Sequence, residues 1–168
     1  MEKAMDGEQC AAPGTCAGAE DPWRLSRLEI RTSLLPRQWP VARVEILHAQ
    51  RGRLTDLAYR KEPLECVFEA IGRIMGFDAT VRSLELDYRP TGASEGGDEA
   101  QGRAAVAITL AVADRDYRGA GRSDDVVQSC ALAYVAALAA ADRDREAEGG
   151  GSTLPRWQPD GLIGSRSW

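Results

Sequence analysis

With 168 residues, 43% of them hydrophobic and 28% charged, the chain has the make-up of one ordinary globular domain, long enough to bury a core. Its net charge of −5 excludes a broad nucleic-acid or anionic-membrane surface, which needs clustered Lys and Arg. Four cysteines (Cys10, Cys16, Cys66, Cys130) without C-x-x-C spacing, and one histidine, exclude a zinc centre, so neither metal nor cofactor is expected.

Residues 1–22 mix Gly, Ala, Pro, Glu and Gln without periodicity and read as a disordered tail. The stretch is acidic and lacks the apolar segment of a secretory leader. The longest apolar run, Cys130 to Ala141, falls short of the roughly 20 residues that cross a bilayer. A cytoplasmic protein without a membrane partner is the expectation.

From Trp23 the pattern becomes regular. Trp23, Leu25, Leu28, Ile30 and Leu34 predict a strand with a slip in its alternation, and Pro36 and Pro40 then interrupt the chain. Ala42 with Val41, Val44 and Ile46 gives a second strand, ended by Arg51-Gly52, and Leu54, Leu57 and Tyr59 give a third. His48, next to Ala49, reads as an edge or core histidine rather than a base. Pro63 suits a first helical position, and Leu64, Val67, Phe68, Ile71, Ile74 and Met75 recur at three- and four-residue steps. One apolar stripe facing a sheet results, with Gly76 placed as the C-terminal cap.

The second half repeats this order. Val81, Leu84, Leu86 and Tyr88 predict a strand stopped by Pro90, and residues 91–97 a turn of small and polar residues. Val106, Ile108, Leu110 and Val112 alternate strictly within a long strand over 104–113. A short strand at 116–118 leads into Gly119-Ala120-Gly121, read as a glycine-flexed turn. Ser123 is then expected to cap a helix with Asp124 and Asp125 in its first turn. From Val126 to Ala141 that helix is apolar on nearly every side, so it needs cover from a sheet and from a second helix or a second subunit. Cys66 and Cys130, on apolar helical stretches, are expected to be buried inert thiols. Residues 144–168 read as a flexible tail carrying Trp157 and Trp168.

Three strands and a helix, twice over, predict an α+β domain across 23–143: two βββα units with both helices on one face of the strands, dimerising to complete its cover. Catalysis is not expected. Ser123 and Ser129 have no histidine in reach, and the carboxylates form no paired motif.

Four segments carry a resemblance to a known family: P-L-E-C-V-F-E-A-I-G-R-I from Pro63, L-E-L-D-Y from Leu84, G-G-D-E-A-Q-G-R-A-A-V from Gly96, and G-A-G-R-S-D-D-V-V-Q-S-C-A-L-A-Y-V-A-A-L from Gly119. In order and spacing the chain resembles the C-terminal regulatory and dimerisation domain of 2-isopropylmalate synthase, shared with citramalate synthases. The resemblance implies two βββα units, a homodimer, and feedback binding of leucine, or of isoleucine in citramalate synthases. It also implies that the acyl-transfer chemistry belongs to a separate TIM barrel, which this length does not accommodate. The expectation is a stand-alone regulatory module acting on a separate catalytic synthase subunit, with leucine preferred on family frequency.

A free amino acid needs donors for its carboxylate, acceptors for its ammonium and an apolar slot. Helix N-termini at Leu64-Glu65 and Ser123-Asp124 offer donors, and Glu65, Asp87 or Asp124 offers the acceptor. Leu64, Tyr88 and Ala100 can line the slot, positions that the resemblance also places near the effector. Gly119 and Gly121 match the family's second glycine turn. Its first, a G-x-G before the helix-starting proline, is replaced by Arg60-Lys61-Glu62. The alternative reading is a dimerisation or scaffold module that has lost its effector.

Overall fold

The computed structural model describes residues 21–32, 38–90 and 102–149. Ala100, the 91–97 turn, Leu34, Pro36, Cys10, Cys16, Trp157 and Trp168 lie outside them. Strands β1 (Trp23–Arg31), β2 (Val41–His48) and β3 (Gly52–Tyr59) form one antiparallel sheet in that order, followed by helix α1 (Pro63–Met75). Strands β4 (Ala79–Pro90), β5 (Gly102–Val112) and β6 (Arg115–Ser123) form a second, followed by helix α2 (Val126–Ala147). This is the expected doubled βββα arrangement of an α+β domain.

The slip in β1 is a register shift between Leu25 and Arg27, where one extra residue in the strand restores Leu28 and Ile30 to the apolar face. Across the ladder Ala42, Val44 and Ile46 of β2 are fully buried beneath α1. Helix α1 starts with Pro63 in its first turn and ends at Gly76, whose φ of 74° is free of the steric cost a side chain would bring. The Phe77 N–H then returns to the Gly72 carbonyl at 2.9 Å.

Helix α2 is 22 residues long and apolar enough to span a membrane by length and composition, but in this chain it is a core helix. It lies on β5 and β6, touches β1 and packs against α1, where Phe68 stacks on Tyr134 with ring centroids 4.4 Å apart. Cover for its alanine-rich surface therefore comes mainly from within one chain. It also runs to Ala147, so residues 144–147, read as tail, are helical. Near its end Asp142 is buried and accepts a 2.7 Å hydrogen bond from Trp23 Nε1 at the head of β1. One continuous core thus joins both sheets and both helices. Cys66 and Cys130 are buried free thiols within it, and burial pushes the Cys130 thiol above its ordinary value.

The stretch before α2 differs from the sequence reading. β6 is nine residues long rather than three, and Gly119 and Gly121 sit inside it; among the described glycines only Gly52, Gly76 and Gly149 have positive φ. What the two positions require is space. A Cβ on Gly119 would fall 2.1 Å from the Ala133 carbonyl oxygen and 2.5 Å from the Ala137 nitrogen. One on Gly121 would fall 2.1 Å from the Ser129 carbonyl oxygen. The strand backbone lies directly against the helix backbone. Ser123 closes β6, and the cap is Asp125, whose side chain accepts from the Gln128 N–H at 2.7 Å. Asp124 precedes the helix, so the first turn carries no acid.

Candidate functional site

At the end of the second sheet where β6 hands over to α2, a cleft of about 580 Å³ is lined by Asp87, Arg103, Ala104, Ala105, Arg122, Ser123 and Asp124. Strand register builds it: Asp87 of β4 sits across from Ala105 of β5, and Ala105 across from Arg122 of β6. A carboxylate on one outer strand and a guanidinium on the other therefore flank a small alanine on the central strand. One pair further along, Ala104 lies opposite Ser123, whose backbone leads to Asp124.

Ser123 is held in place by its neighbours. Its hydroxyl donates to Gln128 Oε1 at 2.9 Å and accepts from the Asp125 N–H at 3.3 Å. Ser129, fully buried, ties the helix start to the central strand by donating to the Ala104 carbonyl at 3.1 Å. These bonds fix the wall of the cleft without using its charges. Among the described residues no ion pair or side-chain hydrogen bond engages Arg103, Arg122 or Asp124, whereas the neighbouring Arg118 is paired with Glu85 at 3.4 Å. A planar guanidinium accepts a carboxylate on two parallel N–H bonds, and a carboxylate accepts an ammonium. The volume falls within the roughly 300 to 1,000 Å³ usual for small-molecule sites.

Of the eight residues singled out in the sequence, Asp87 and Asp124 line this cleft. Leu64 and Glu65 are elsewhere, at the start of α1, Leu64 half-buried against the core and Glu65 exposed in the first turn. Tyr88 follows Asp87 on β4 and so points to the opposite face, where its ring lies across Gly102. Gly121 borders a shallower trough that continues from the cleft along Glu85, Ala107 and Ala120. Gly119 is packed under α2. Ala100 is outside the described residues. Arg103 and Arg122 had not been singled out, because an isolated arginine on a strand reads as a solvated side chain until the register is known.

A second cleft, of about 520 Å³, lies between β1 and the starts of both helices, lined by Leu25, Leu28, Ile30, Pro63, Val127 and Gln128 among others. Its charges are committed: Asp125 caps α2 and Arg27 pairs with Glu29. Where the family's first glycine turn would stand, Arg60 folds back on α1, its Nη2 donating to Glu69 at 2.7 Å.

A family model described as the LeuA allosteric (dimerisation) domain matches residues 14–141. No curated protein matches the chain.

Proposed function

The chain belongs to the LeuA allosteric (dimerisation) domain family, and on that footing we propose that it senses a branched-chain amino acid and passes the signal to an acyltransferase barrel of the 2-isopropylmalate synthase kind. The carrying observation is the pair of uncommitted guanidiniums, Arg103 and Arg122, facing Asp87 and Asp124 around one cleft. That set offers both halves of an α-amino acid a partner, the carboxylate on arginine and the ammonium on Asp124. Leucine is the preferred effector on family frequency, and a coupling of about 1 to 3 kcal/mol between effector and catalytic site is the usual scale for such regulation.

Calorimetric titration with leucine, isoleucine and valine tests the reading. Heat is expected from at least one of them, with affinity falling roughly 10- to 100-fold in Arg122→Met, the loss of one charge-assisted contact. Heat from none would sink the sensing role. A second reading, a dimerisation scaffold without an effector, is favoured by one observation: Arg60-Lys61-Glu62 fills the family's first glycine turn, and Arg60 is tied to Glu69 rather than turned to a ligand. A dimer indifferent to all three amino acids would support it.

A further inference from the structure

The first sheet turns one face to the helices and the other to water. Ala42, Val44 and Ile46 of β2 are buried beneath α1, so Val41, Arg43, Glu45 and Leu47 alternate onto the outer face. Ladder partners share a face. Arg31 and Tyr59 therefore flank Val41, Glu29 and Leu57 flank Arg43, Arg27 and Thr55 flank Glu45, and Arg24 and Arg53 flank Leu47. Five arginines and two glutamates stand on one three-stranded surface.

Both carboxylates of this face are committed, and three of its guanidiniums are not. Arg27 pairs with Glu29, and Arg53 with Glu45 at 3.4 Å, while Glu45 also accepts from the Ser26 hydroxyl at 2.9 Å. Among the described residues no ion pair or side-chain hydrogen bond engages Arg24, Arg31 or Arg43, and all three are exposed. In a chain of net charge −5 this is a local positive field. Large apolar groups share the surface: Leu57 is 46% exposed and Tyr59 55%, and Trp39, two residues ahead of Val41, is 62% exposed. The outer face of the second sheet shows the plainly solvated alternative. Away from the cleft its charges are tied across strands, Arg82 to Asp116 at 4.0 Å and Arg118 to Glu85 at 3.4 Å. Its middle strand offers Ala105, Ala107 and Ala111, and among the described residues no large apolar side chain is exposed there.

We propose that the outer face of the first sheet docks an extended acidic peptide segment of a partner protein, its carboxylates on Arg24, Arg31 and Arg43 and an apolar side chain against Leu57 and Tyr59. Arg24 and Arg31 stand near the two ends of β1, about 20 Å apart along the strand, the reach of roughly six or seven extended residues. A guanidinium takes a carboxylate on two parallel N–H bonds and is weakly hydrated, so it gives up its water readily. Nucleic acid fits less well. Its phosphates recur at every nucleotide, and Glu29 and Glu45 occupy the middle rows where those charges would fall. The segment lies across the face instead of adding to the edge at β3. At that edge the Leu57 N–H already donates to Asp56 Oδ1 at 2.8 Å, and the Leu57 carbonyl accepts from Arg73 Nη2 at 2.6 Å. The amino-acid cleft belongs to the other sheet, so this docking face is independent of the sensing role.

Fluorescence anisotropy on the full chain tests this with a labelled peptide of about nine residues, glutamate and glycine around one leucine. Saturable binding is expected, weakened at least about tenfold in R31E/R43E and about threefold in Leu57→Ser. R82E, the same change of charge on the second sheet, should bind as the parent does. No saturable binding, equal binding by R31E/R43E, or equal binding of a lysine counterpart of the peptide overturns the proposal. Tighter binding of a single-stranded oligonucleotide or of phosphatidylserine vesicles than of the peptide overturns it too, by giving the face to another class of partner. If R31E/R43E does not fold, amide NMR on the parent decides. Peptide-induced shifts centred on Arg43, Leu57 and Tyr59 support the docking face, and shifts centred on Arg103 and Arg122 refute it.

Discussion

The two βββα units share an order of elements but not a way of packing. In the first, α1 sits over β2 and β3 across ordinary side chains, with Ala58 buried four residues before the helix cap. In the second, the position four residues before the cap is Gly121, and α2 lies against bare strand backbone there and at Gly119. The close seam pulls the longer helix down over β5 and β6, where it also reaches β1 and α1, so that one helix covers parts of both units. The difference teaches that near-symmetry of elements can hide an unequal division of labour: the second helix does most of the covering, and among the described residues the second sheet is left with the bare edge.

Exchanging the two buried small residues tests this most severely. Gly121→Ala should cost about 3 kcal/mol or more, or prevent folding, because its methyl would meet the Ser129 carbonyl and neither backbone can retreat. Ala58→Gly should cost only about 1 to 2 kcal/mol, from lost burial and added chain freedom. Urea unfolding of both variants measures the ratio. Similar costs would mean that the seam at β6 is no tighter than its counterpart.

The helix starts sharpen the contrast at smaller scale. Asp125 caps α2 through the Gln128 N–H, while Glu62, at the matching position of α1, makes no side-chain cap bond and leaves the work to Pro63. Asp125→Ala should lower stability by about 1 kcal/mol, and Glu62→Ala should change it by less than about 0.5 kcal/mol.

Smallest is an effect of pH confined to the first unit. In the β2–β3 hairpin His48 Nδ1 accepts from the Gln50 and Arg51 N–H groups, both at 3.2 Å, and its ring meets Trp23 edge-on at 4.2 Å. Burial, with Arg51 adding to it, lowers its pKa below 6.5. A base with a depressed native pKa contributes stability that is full above the unfolded value and is lost as pH falls through the folded one. The β5–β6 hairpin, turned at Ala113 with φ of 52°, has no histidine. Proton NMR of the single histidine should therefore give a pKa under 6.5. His48→Asn should remove part of the stability loss between neutral pH and pH 5, and a midpoint at or above 6.5 would contradict the half-buried, bonded ring.

Much of this fold was legible in the sequence because local signals agreed with tertiary need. Pro63 and Gly76 bracket α1, its apolar steps match its buried face, and even the slip in β1 was visible as a break in alternation. The glycine pair before α2 was misread for a definite reason. A glycine is used either for the backbone angles it permits or for the room it leaves, and a sequence shows the residue without the use. The cleft was half legible. Asp87 and Asp124 stood out as carboxylates beside a strand end and a helix start, but Arg103 and Arg122 acquire meaning only through the register that sets β4, β5 and β6 side by side.

The bond from Trp23 to Asp142, seconded by the 3.1 Å ion pair between Asp21 and Arg143, fastens the doorway through which the chain comes in to the one through which it goes out. The start of β1 and the last turns of α2 are consequently held at the same corner of the domain. A circularly permuted version of residues 21–149, with those two positions bridged by a flexible loop, should keep the same architecture.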